Sequence, residues 1–175
     1  GADAVKFQTF KTELVMTREA PKAGYQRETT GAGENQFDMV KRLELAPSVF
    51  GELMAYCQKQ NILFLSSPFD DESVDLLADL DVAGYKVPSG EITNLSYIAR
   101  IARKGRPMIV STGMSYLSEV ETAVRTIQEA GSPEFVLLHC VSNYPTDPSD
   151  VNLKAMQTMA TVFDVPVGYS DHTPG

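Results

Sequence analysis

Short apolar runs that alternate with amphipathic segments are the feature that most limits the fold of this chain. Each run is rich in Val, Ile, Leu or Phe and is bounded by turn-forming residues, which is typical of buried parallel strands. The segments between them repeat apolar residues with a 3.6-residue period, which predicts helices. The predicted strands are Ala4–Phe10, Ile62–Phe69, Gly84–Ser89, Met108–Thr112, Phe135–Val141 and Val165–Ser170, and the predicted helices are Pro47–Gln60, Asp71–Leu80, Leu95–Arg103, Ser118–Ala130 and Asn152–Phe163. This alternation predicts one α/β domain over residues 1–175.

Two local patterns refine this prediction. The stretch Lys11–Leu45 contains no predicted strand and includes a polar section, Gly24–Gly33. Long connections of this kind either cover an active site or form a solvated loop. The spacing of Ser118 and Glu121 matches a capping box, so we expect the helix to begin at Ser118 and to end before Gly131.

Charge and cysteine content exclude several classes of partner. The chain carries 15 basic and 23 acidic side chains, for a formal net charge of −8, and has no basic cluster. This balance argues against nucleic acid or an anionic membrane as the main partner. No apolar run approaches the roughly 18 residues that a membrane span requires. The two cysteines, Cys57 and Cys140, provide no disulfide framework, which fits a reducing, cytoplasmic compartment.

Polar side chains concentrate where the predicted strands end. Active sites of parallel α/β folds lie at the carboxyl ends of their strands, so we expect these side chains to gather around one site. Strand alternation places Lys6 and Gln8 on the same face of the first strand. The candidate residues are Lys6, Gln8, Ser67, Lys86, Ser89, Glu91, Ser111, Ser142, Tyr144 and Ser170.

Lys6 and Lys86 lie inside apolar strands, where an uncompensated charge is costly. Three interpretations are open for them. Each lysine forms an ion pair with a buried carboxylate such as Glu91, or both bind a phosphate or carboxylate together with the serine hydroxyls. Alternatively, one of them is a Schiff-base nucleophile. Charge and the number of hydroxyl donors favour the bound anion.

Both histidines of the chain lie near strand ends. His172 follows the last predicted strand, where it is either a metal or substrate ligand or a loop histidine bonded to the backbone. His139 follows two leucines within its strand and is therefore expected to be structural. Spacing alone does not show whether the two rings share one ion.

Seven segments, in order along the chain, resemble the sialic acid synthase family, which includes N-acetylneuraminate, legionaminate and pseudaminate synthases. They are AVKFQTF, FLSSPFD, YKVPSGEITN, IVSTGMS, LLHCVSNYPT, DVNLKAM and VGYSDHT. The resemblance implies a (β/α)8 TIM barrel, of which this chain provides the second to seventh strands. The first and eighth strands and the family's C-terminal antifreeze-like domain are then missing. The resemblance also implies that the full-length protein is a domain-swapped homodimer.

The resemblance further implies the reaction and the role of each candidate. Phosphoenolpyruvate condenses with an N-acylated amino-sugar aldehyde and water, and inorganic phosphate is released; a divalent Mn²⁺ or Mg²⁺ ion polarises the aldehyde. Lys6 and Lys86 hold the phosphoenolpyruvate anion, and Ser67, Ser89, Ser111 and Ser170 donate hydroxyl groups to it. Gln8 and Tyr144 contact the sugar, Glu91 lies beside the reacting carbons, and His172 is one metal ligand. At Ser142 some members have an asparagine that contacts phosphoenolpyruvate.

Because the resemblance assigns the second metal ligand to the missing eighth strand, the isolated chain is expected to bind manganese weakly and to lack turnover. Three alternatives remain open. One is a related barrel that condenses phosphoenolpyruvate with an unaminated sugar phosphate, although the strand ends lack the extra basic cluster this needs. The others are a Schiff-base pyruvate aldolase acting through Lys86 or Lys6, and a barrel-derived binding module without catalysis.

Overall fold

The computed structural model of the chain describes residues 1–24, 26–27, 33–131 and 134–174. All six predicted strands are present, with ends within two residues of the predicted ones: β1 (Ala4–Thr9), β2 (Leu63–Pro68), β3 (Tyr85–Val87), β4 (Met108–Ser111), β5 (Phe135–Cys140) and β6 (Val167–Ser170). The five predicted helices are confirmed with similar accuracy as α3 (Pro47–Lys59), α4 (Asp71–Asp79), α5 (Leu95–Ala102), α6 (Leu117–Glu129) and α7 (Lys154–Phe163). The chain therefore has an α/β fold.

In its described residues, the long connection after β1 carries two short helices that the strand pattern did not predict. They are α1 (Thr12–Val15) and α2 (Gln36–Lys41). The Asn35 side chain accepts a hydrogen bond from the Asp38 amide and so caps α2. Residues 25 and 28–32 of the polar section Gly24–Gly33 lie outside the described residues, and the choice between an active-site cover and a solvated loop stays open.

The chain divides into two compact units, Gly1–Asp81 and Val82–Gly175. In the first unit β1 pairs in parallel with β2, and Gln8 lies opposite Ser67. One face of this pair is held together by a stack of Phe7 on Phe64, with ring centroids 5.2 Å apart. The other face of β1 carries Lys6 and Gln8, as strand alternation predicted.

The second unit contains four parallel strands, which pair in chain order from β3 to β6. One face of these strands packs under α5, α6 and α7 and forms an apolar core. Its fully buried side chains include Tyr85, Val87, Met108, Val110 and Leu137 from the strands and Ile98, Ile101 and Ile127 from the helices. Because this face packs against the helices, the polar side chains of the strands lie on the opposite face or beyond the strand ends.

The start of α6 differs from the predicted capping box. The helix begins at Leu117, one residue before Ser118, and Tyr116 precedes it as the N-cap. The Glu119 carboxylate reaches back and accepts a hydrogen bond of 2.7 Å from the Tyr116 backbone amide. Glu119 lies at the third helical position from this cap, where a carboxylate can satisfy an unpaired amide, so the prediction for Ser118 was wrong in register.

No helix within the described ranges is both long enough and apolar enough to cross a membrane.

Candidate active site

Lys86 is the buried charge at the centre of the second unit. It lies in β3, and only 7% of the residue is exposed. Its Nζ donates hydrogen bonds to Ser111 Oγ at 2.7 Å and to the Val87 carbonyl at 2.8 Å. Ser111 lies at the end of the neighbouring strand β4, so the predicted convergence of Lys86 and Ser111 is confirmed. An ammonium group held at this depth favours an anionic ligand, because desolvated positive charge is stabilised by negative charge.

Ser89 begins the short 3-10 turn Ser89–Glu91 that follows β3. Pro88 precedes it and lacks an amide donor, so the strand ladder cannot continue there. The Ser89 Oγ accepts a hydrogen bond of 2.9 Å from the Gly113 amide and lies 3.0 Å from Cys140 Sγ. The ends of β3, β4 and β5 therefore meet at the Ser89 hydroxyl.

Gly113 lies where three of these side chains leave no room for a fourth. A Cβ atom at this position would lie 2.7 Å from Cys140 Sγ and 2.9 Å from Ser89 Oγ, and closer still to Ser142 Oγ. Ser142, a predicted site residue, is thus brought beside Ser89. Glycine is required here because the chain passes against the hydroxyl and thiol groups that it helps to order.

Replacing Gly113 by alanine is expected to lower the free energy of unfolding by about 1–3 kcal/mol, because the added methyl group overpacks the cluster. The measurement is urea unfolding followed by circular dichroism. Gly51→Ala in α3 is the matched control: its new Cβ would meet only Leu80 Cδ2, at 3.7 Å. That change should stabilise by roughly 0.5–1 kcal/mol, as alanine does inside a helix. Equal effects at both positions would contradict the crowding at Gly113.

His172 is held in one orientation by the loop that follows β5. Its Nδ1 lies 2.7 Å from the Val141 carbonyl, and its own carbonyl accepts a hydrogen bond of 2.8 Å from the Thr146 amide. A carbonyl can only accept, so Nδ1 carries the proton and the lone pair of the neutral ring is on Nε2. Metal-binding histidines are commonly oriented by this kind of bond to a backbone carbonyl.

Tyr144 and Ser170 face Nε2, the unprotonated ring nitrogen of His172. The Tyr144 ring stacks on the imidazole with centroids 4.1 Å apart, and its hydroxyl lies 3.1 Å from Nε2. Ser170 Oγ lies 3.4 Å from the same atom. We call Ser89, Gly113, Cys140 and Ser142 the Ser89 cluster. Ser170 pairs with Cys140 across β5 and β6, so Tyr144, Ser170 and His172 adjoin this cluster. The structure therefore joins a predicted sugar contact, a predicted anion contact and the predicted metal ligand.

The carboxylate next to His172 is stabilised in its charged form. The Thr173 backbone amide donates a hydrogen bond of 2.9 Å to Asp171 Oδ1. This bond, followed by that of the Thr173 side chain, holds the pKa of Asp171 below its usual range, and the nearby His172 acts in the same direction. Asp171 is therefore ionised at neutral pH beside the imidazole.

His139 has the structural role that its position predicted. Strand alternation directs it to the opposite face of β5 from Cys140. Its Nε2 bonds to the Val151 carbonyl at 2.7 Å, and its ring lies 5.8 Å from that of Tyr169. The imidazole is thus engaged with the backbone before α7.

Glu91 ends the 3-10 turn after β3 and is partly exposed. Its Oε2 accepts a hydrogen bond of 2.9 Å from Asn94 Nδ2, and Asn94 also caps α5. The cap therefore fixes one oxygen of the carboxylate and leaves Oε1 free of that contact. The role of Glu91 beside the reacting carbons stays a prediction.

The three candidates of the first unit differ from one another in burial. Lys6 was expected to be a buried charge, and this was wrong: it is exposed, as is Gln8. Because the Lys6 side chain is exposed, water solvates its ammonium group and no buried counter-ion is required. Ser67, opposite Gln8, is only 1% exposed, and its hydroxyl has no hydrogen-bond partner among the described residues. A buried hydroxyl without a partner favours a polar ligand.

Cys140, Gly113 and the Val141 carbonyl belong to the site although the sequence did not indicate them. Cys140 ends an apolar run and reads there as one more core residue. Its position two residues after Leu138 was the available signal, because alternation places it on the Leu138 face and away from His139. The contributions of Gly113 and Val141 come from the backbone, which carries no residue-type signal.

Among the residues that the structure describes, no three His, Cys, Asp or Glu side chains form a group that could hold a metal ion. His172 Nε2 fits a single imidazole ligand, since its ring is oriented by the Val141 carbonyl; an ion bound there would replace the hydrogen bond between Nε2 and the Tyr144 hydroxyl. An ion bound there would need further ligands from water, from substrate or from other residues.

Strand-end hydroxyls, a buried lysine and an oriented imidazole thus lie at the carboxyl ends of the strands of an α/β fold, where active sites of this fold class are found. The NeuB family model matches residues 1–175, and the chain belongs to this family.

Individual relatives agree with this assignment. The chain is 48% identical over 177 residues to the N,N'-diacetyllegionaminic acid synthase of Campylobacter jejuni, covering all of this chain and 53% of the relative. It is 47% identical over 179 residues to the protein of the same name from Legionella pneumophila, covering all of this chain and 50% of the relative. The chain thus spans about half the length of these relatives.

A solved structure extends the similarity to the fold. The N-acetylneuraminic acid (sialic acid) synthetase of Leptospira borgpetersenii, crystallised with citrate, superposes with a TM-score of 0.84 at 36% identity. The match covers 99% of this chain and 56% of that protein.

Proposed function

We propose that the full-length protein condenses phosphoenolpyruvate with an N-acylated amino-sugar aldehyde and water, giving a nonulosonic acid and inorganic phosphate. The observation that carries the proposal is the buried Lys86 ammonium group bonded to Ser111 beside the Ser89 cluster. One charge with several hydroxyl donors suits the phosphate and carboxylate groups of phosphoenolpyruvate. The names of the relatives, which are synthases of legionaminic and N-acetylneuraminic acids, support this class of product.

In this proposal the chain's residues bind and orient the substrates. Lys86, Ser89, Ser111 and Ser170 hold the phosphoenolpyruvate anion, with Ser142 beside Ser89. Tyr144 contacts the sugar, and Glu91 transfers a proton or stabilises charge at the reacting carbons. The enol carbon forms a bond to the aldehyde carbon, water adds to the resulting cationic carbon, and the tetrahedral intermediate loses phosphate. Lys6, Gln8 and Ser67 are proposed as further substrate contacts.

His172 is proposed as one ligand of a divalent Mn²⁺ or Mg²⁺ ion. Such an ion polarises the acceptor aldehyde when bound. The Val141 carbonyl fixes the ring so that Nε2 faces the side on which Tyr144 and Ser170 lie. We also propose that the protein is a domain-swapped homodimer on a (β/α)8 barrel. The chain alone is expected to bind the ion weakly, because one imidazole leaves most ligands to water and substrate.

The experiment that tests this function is a phosphate-release assay on the full-length protein with mass spectrometry of the product. Phosphate should appear only when phosphoenolpyruvate, an N-acylated amino-sugar aldehyde and a divalent ion are all present. N-acetylmannosamine and its 2,4-diacetamido analogues are the first acceptors to compare, and a chelator should stop the reaction. Phosphate release without any sugar, or none with all acceptors, would contradict the proposal.

Borohydride treatment in the presence of pyruvate separates this function from a Schiff-base aldolase. Lys86 Nζ donates hydrogen bonds to Ser111 and to the Val87 carbonyl. A donating Nζ favours a role in binding an anion over a role as a Schiff-base nucleophile. We therefore expect no covalent adduct. A reduced carboxyethyl adduct on Lys86 or Lys6, which adds the mass of pyruvic acid less one oxygen atom because water leaves when the imine forms, would support the aldolase instead.

A further inference from the structure

The thiol of Cys140 contacts the hydroxyl group that the proposed function assigns to anion binding. Cys140 ends β5 and is only 6% exposed. Its Sγ lies 3.0 Å from Ser89 Oγ, and its Cα is paired with that of Ser170 on the adjacent strand. The thiol therefore lies on the same face of the sheet as Ser170 and in contact with the Ser89 hydroxyl.

The hydrogen-bond capacity of Ser89 decides what this thiol can do. A serine hydroxyl has one proton to donate and two lone pairs with which to accept. The Gly113 amide already donates to Ser89 Oγ and occupies one lone pair. If the Cys140 S–H donates to the second, the Ser89 proton remains available to a ligand. If the Ser89 proton is given to sulfur, the hydroxyl can no longer donate to an anion.

We infer that Cys140 is a positioning residue for phosphoenolpyruvate binding: its S–H donates to Ser89 Oγ and directs the Ser89 proton towards the bound anion. This inference rests on the proposed function, which supplies the anion. The thiol acts through Ser89 and does not touch the substrate.

The packing around Cys140 makes the contact specific. Cys140 Sγ lies 2.7 Å from the point that a Cβ of residue 113 would occupy, and 3.0 Å from Ser89 Oγ. Glycine at position 113 therefore leaves the room in which the sulfur contacts Ser89. A hydroxyl group at position 140 would keep a donor facing Ser89, whereas a methyl group or an isopropyl group would not.

The test compares Cys140→Ala, Cys140→Val and Cys140→Ser in the full-length protein. The KM for phosphoenolpyruvate is expected to rise about fivefold in the alanine and valine variants, the effect of one lost hydrogen bond. The KM for the amino sugar should stay unchanged. The serine variant should return the KM for phosphoenolpyruvate close to the wild-type value, because its hydroxyl can donate to Ser89.

Cys57→Ala is the matched control, because Cys57 is the other buried cysteine and lies in α3 of the first unit. It should lower the midpoint of urea unfolding while leaving both KM values unchanged. The inference is overturned if the donorless variants keep the wild-type KM for phosphoenolpyruvate, or if the serine variant is no better than alanine. It is also overturned if neither donorless variant folds, since Cys140 is then a packing residue. A wild-type protein that releases no phosphate would instead refute the proposed function.

Discussion

Replacing Lys86 by methionine in the full-length protein is expected to raise the dissociation constant for phosphoenolpyruvate by roughly 30-fold or more. Lys86 is buried, and its Nζ is already oriented by Ser111 and the Val87 carbonyl, so we expect a small ordering cost when it binds an anion. Methionine keeps most of the side-chain volume and removes only the charge and the donors. Isothermal titration with phosphoenolpyruvate measures the change directly.

Lys59→Met is the matched control for this loss of charge. Lys59 is an exposed lysine in the last turn of α3. Its replacement should leave phosphoenolpyruvate binding unchanged, because solvent screens a surface charge. Equal weakening by both variants would mean that the net charge of the protein, and not the Lys86 site, governs binding.

Replacing His172 by alanine is expected to weaken Mn²⁺ binding to the full-length protein by at least 10–100-fold, the range seen when only an outer partner of a metal ligand is lost. The physical reason is the oriented Nε2 lone pair, which no other described side chain can supply from the same place. The readout is electron paramagnetic resonance of free Mn²⁺, which does not depend on activity. Turnover should be lost in parallel.

The other histidine provides the control. His139→Ala removes the hydrogen bond to the Val151 carbonyl and should lower the free energy of unfolding by about 1–3 kcal/mol. It should leave the affinity for Mn²⁺ unchanged, because His139 lies on the face of β5 opposite to Cys140, the residue that pairs with Ser170. A large loss of Mn²⁺ affinity in this variant, or none in His172→Ala, would reverse the roles assigned to the two rings.

Periodicity was sufficient to predict the elements, and strand alternation predicted several faces. The run Leu65-Ser66-Ser67 is an example, because alternation directs the two hydroxyls to opposite faces. Ser66 Oγ lies 2.7 Å from Thr9 Oγ1, whereas the Ser67 hydroxyl has no hydrogen-bond partner in the described part of the chain. These predictions held because a strand has only two faces, and its neighbours determine which one is buried.

The errors arose where tertiary contacts decide the outcome. Lys6 was expected to be buried because its neighbours along the strand are apolar, but burial depends on what packs over a face, which the strand pattern does not contain. The stack of Tyr144 on His172 joins residues 28 positions apart in sequence. Its geometry depends on the loop between β5 and α7, so spacing along the chain could not predict it. The prediction of the α6 cap was wrong because two carboxylates, Glu119 and Glu121, each have the spacing of a capping box, and the structure uses Glu119 with Tyr116.

A crystal structure of the full-length protein with phosphoenolpyruvate is the most direct test of the account. The anion is expected within hydrogen-bond distance of Lys86 Nζ and of the Ser89, Ser111 and Ser170 hydroxyls, and His172 Nε2 is expected to face the space in which the amino sugar binds. Phosphoenolpyruvate bound away from Lys86, or electron density continuous between Lys86 Nζ and a pyruvate carbon, would contradict it.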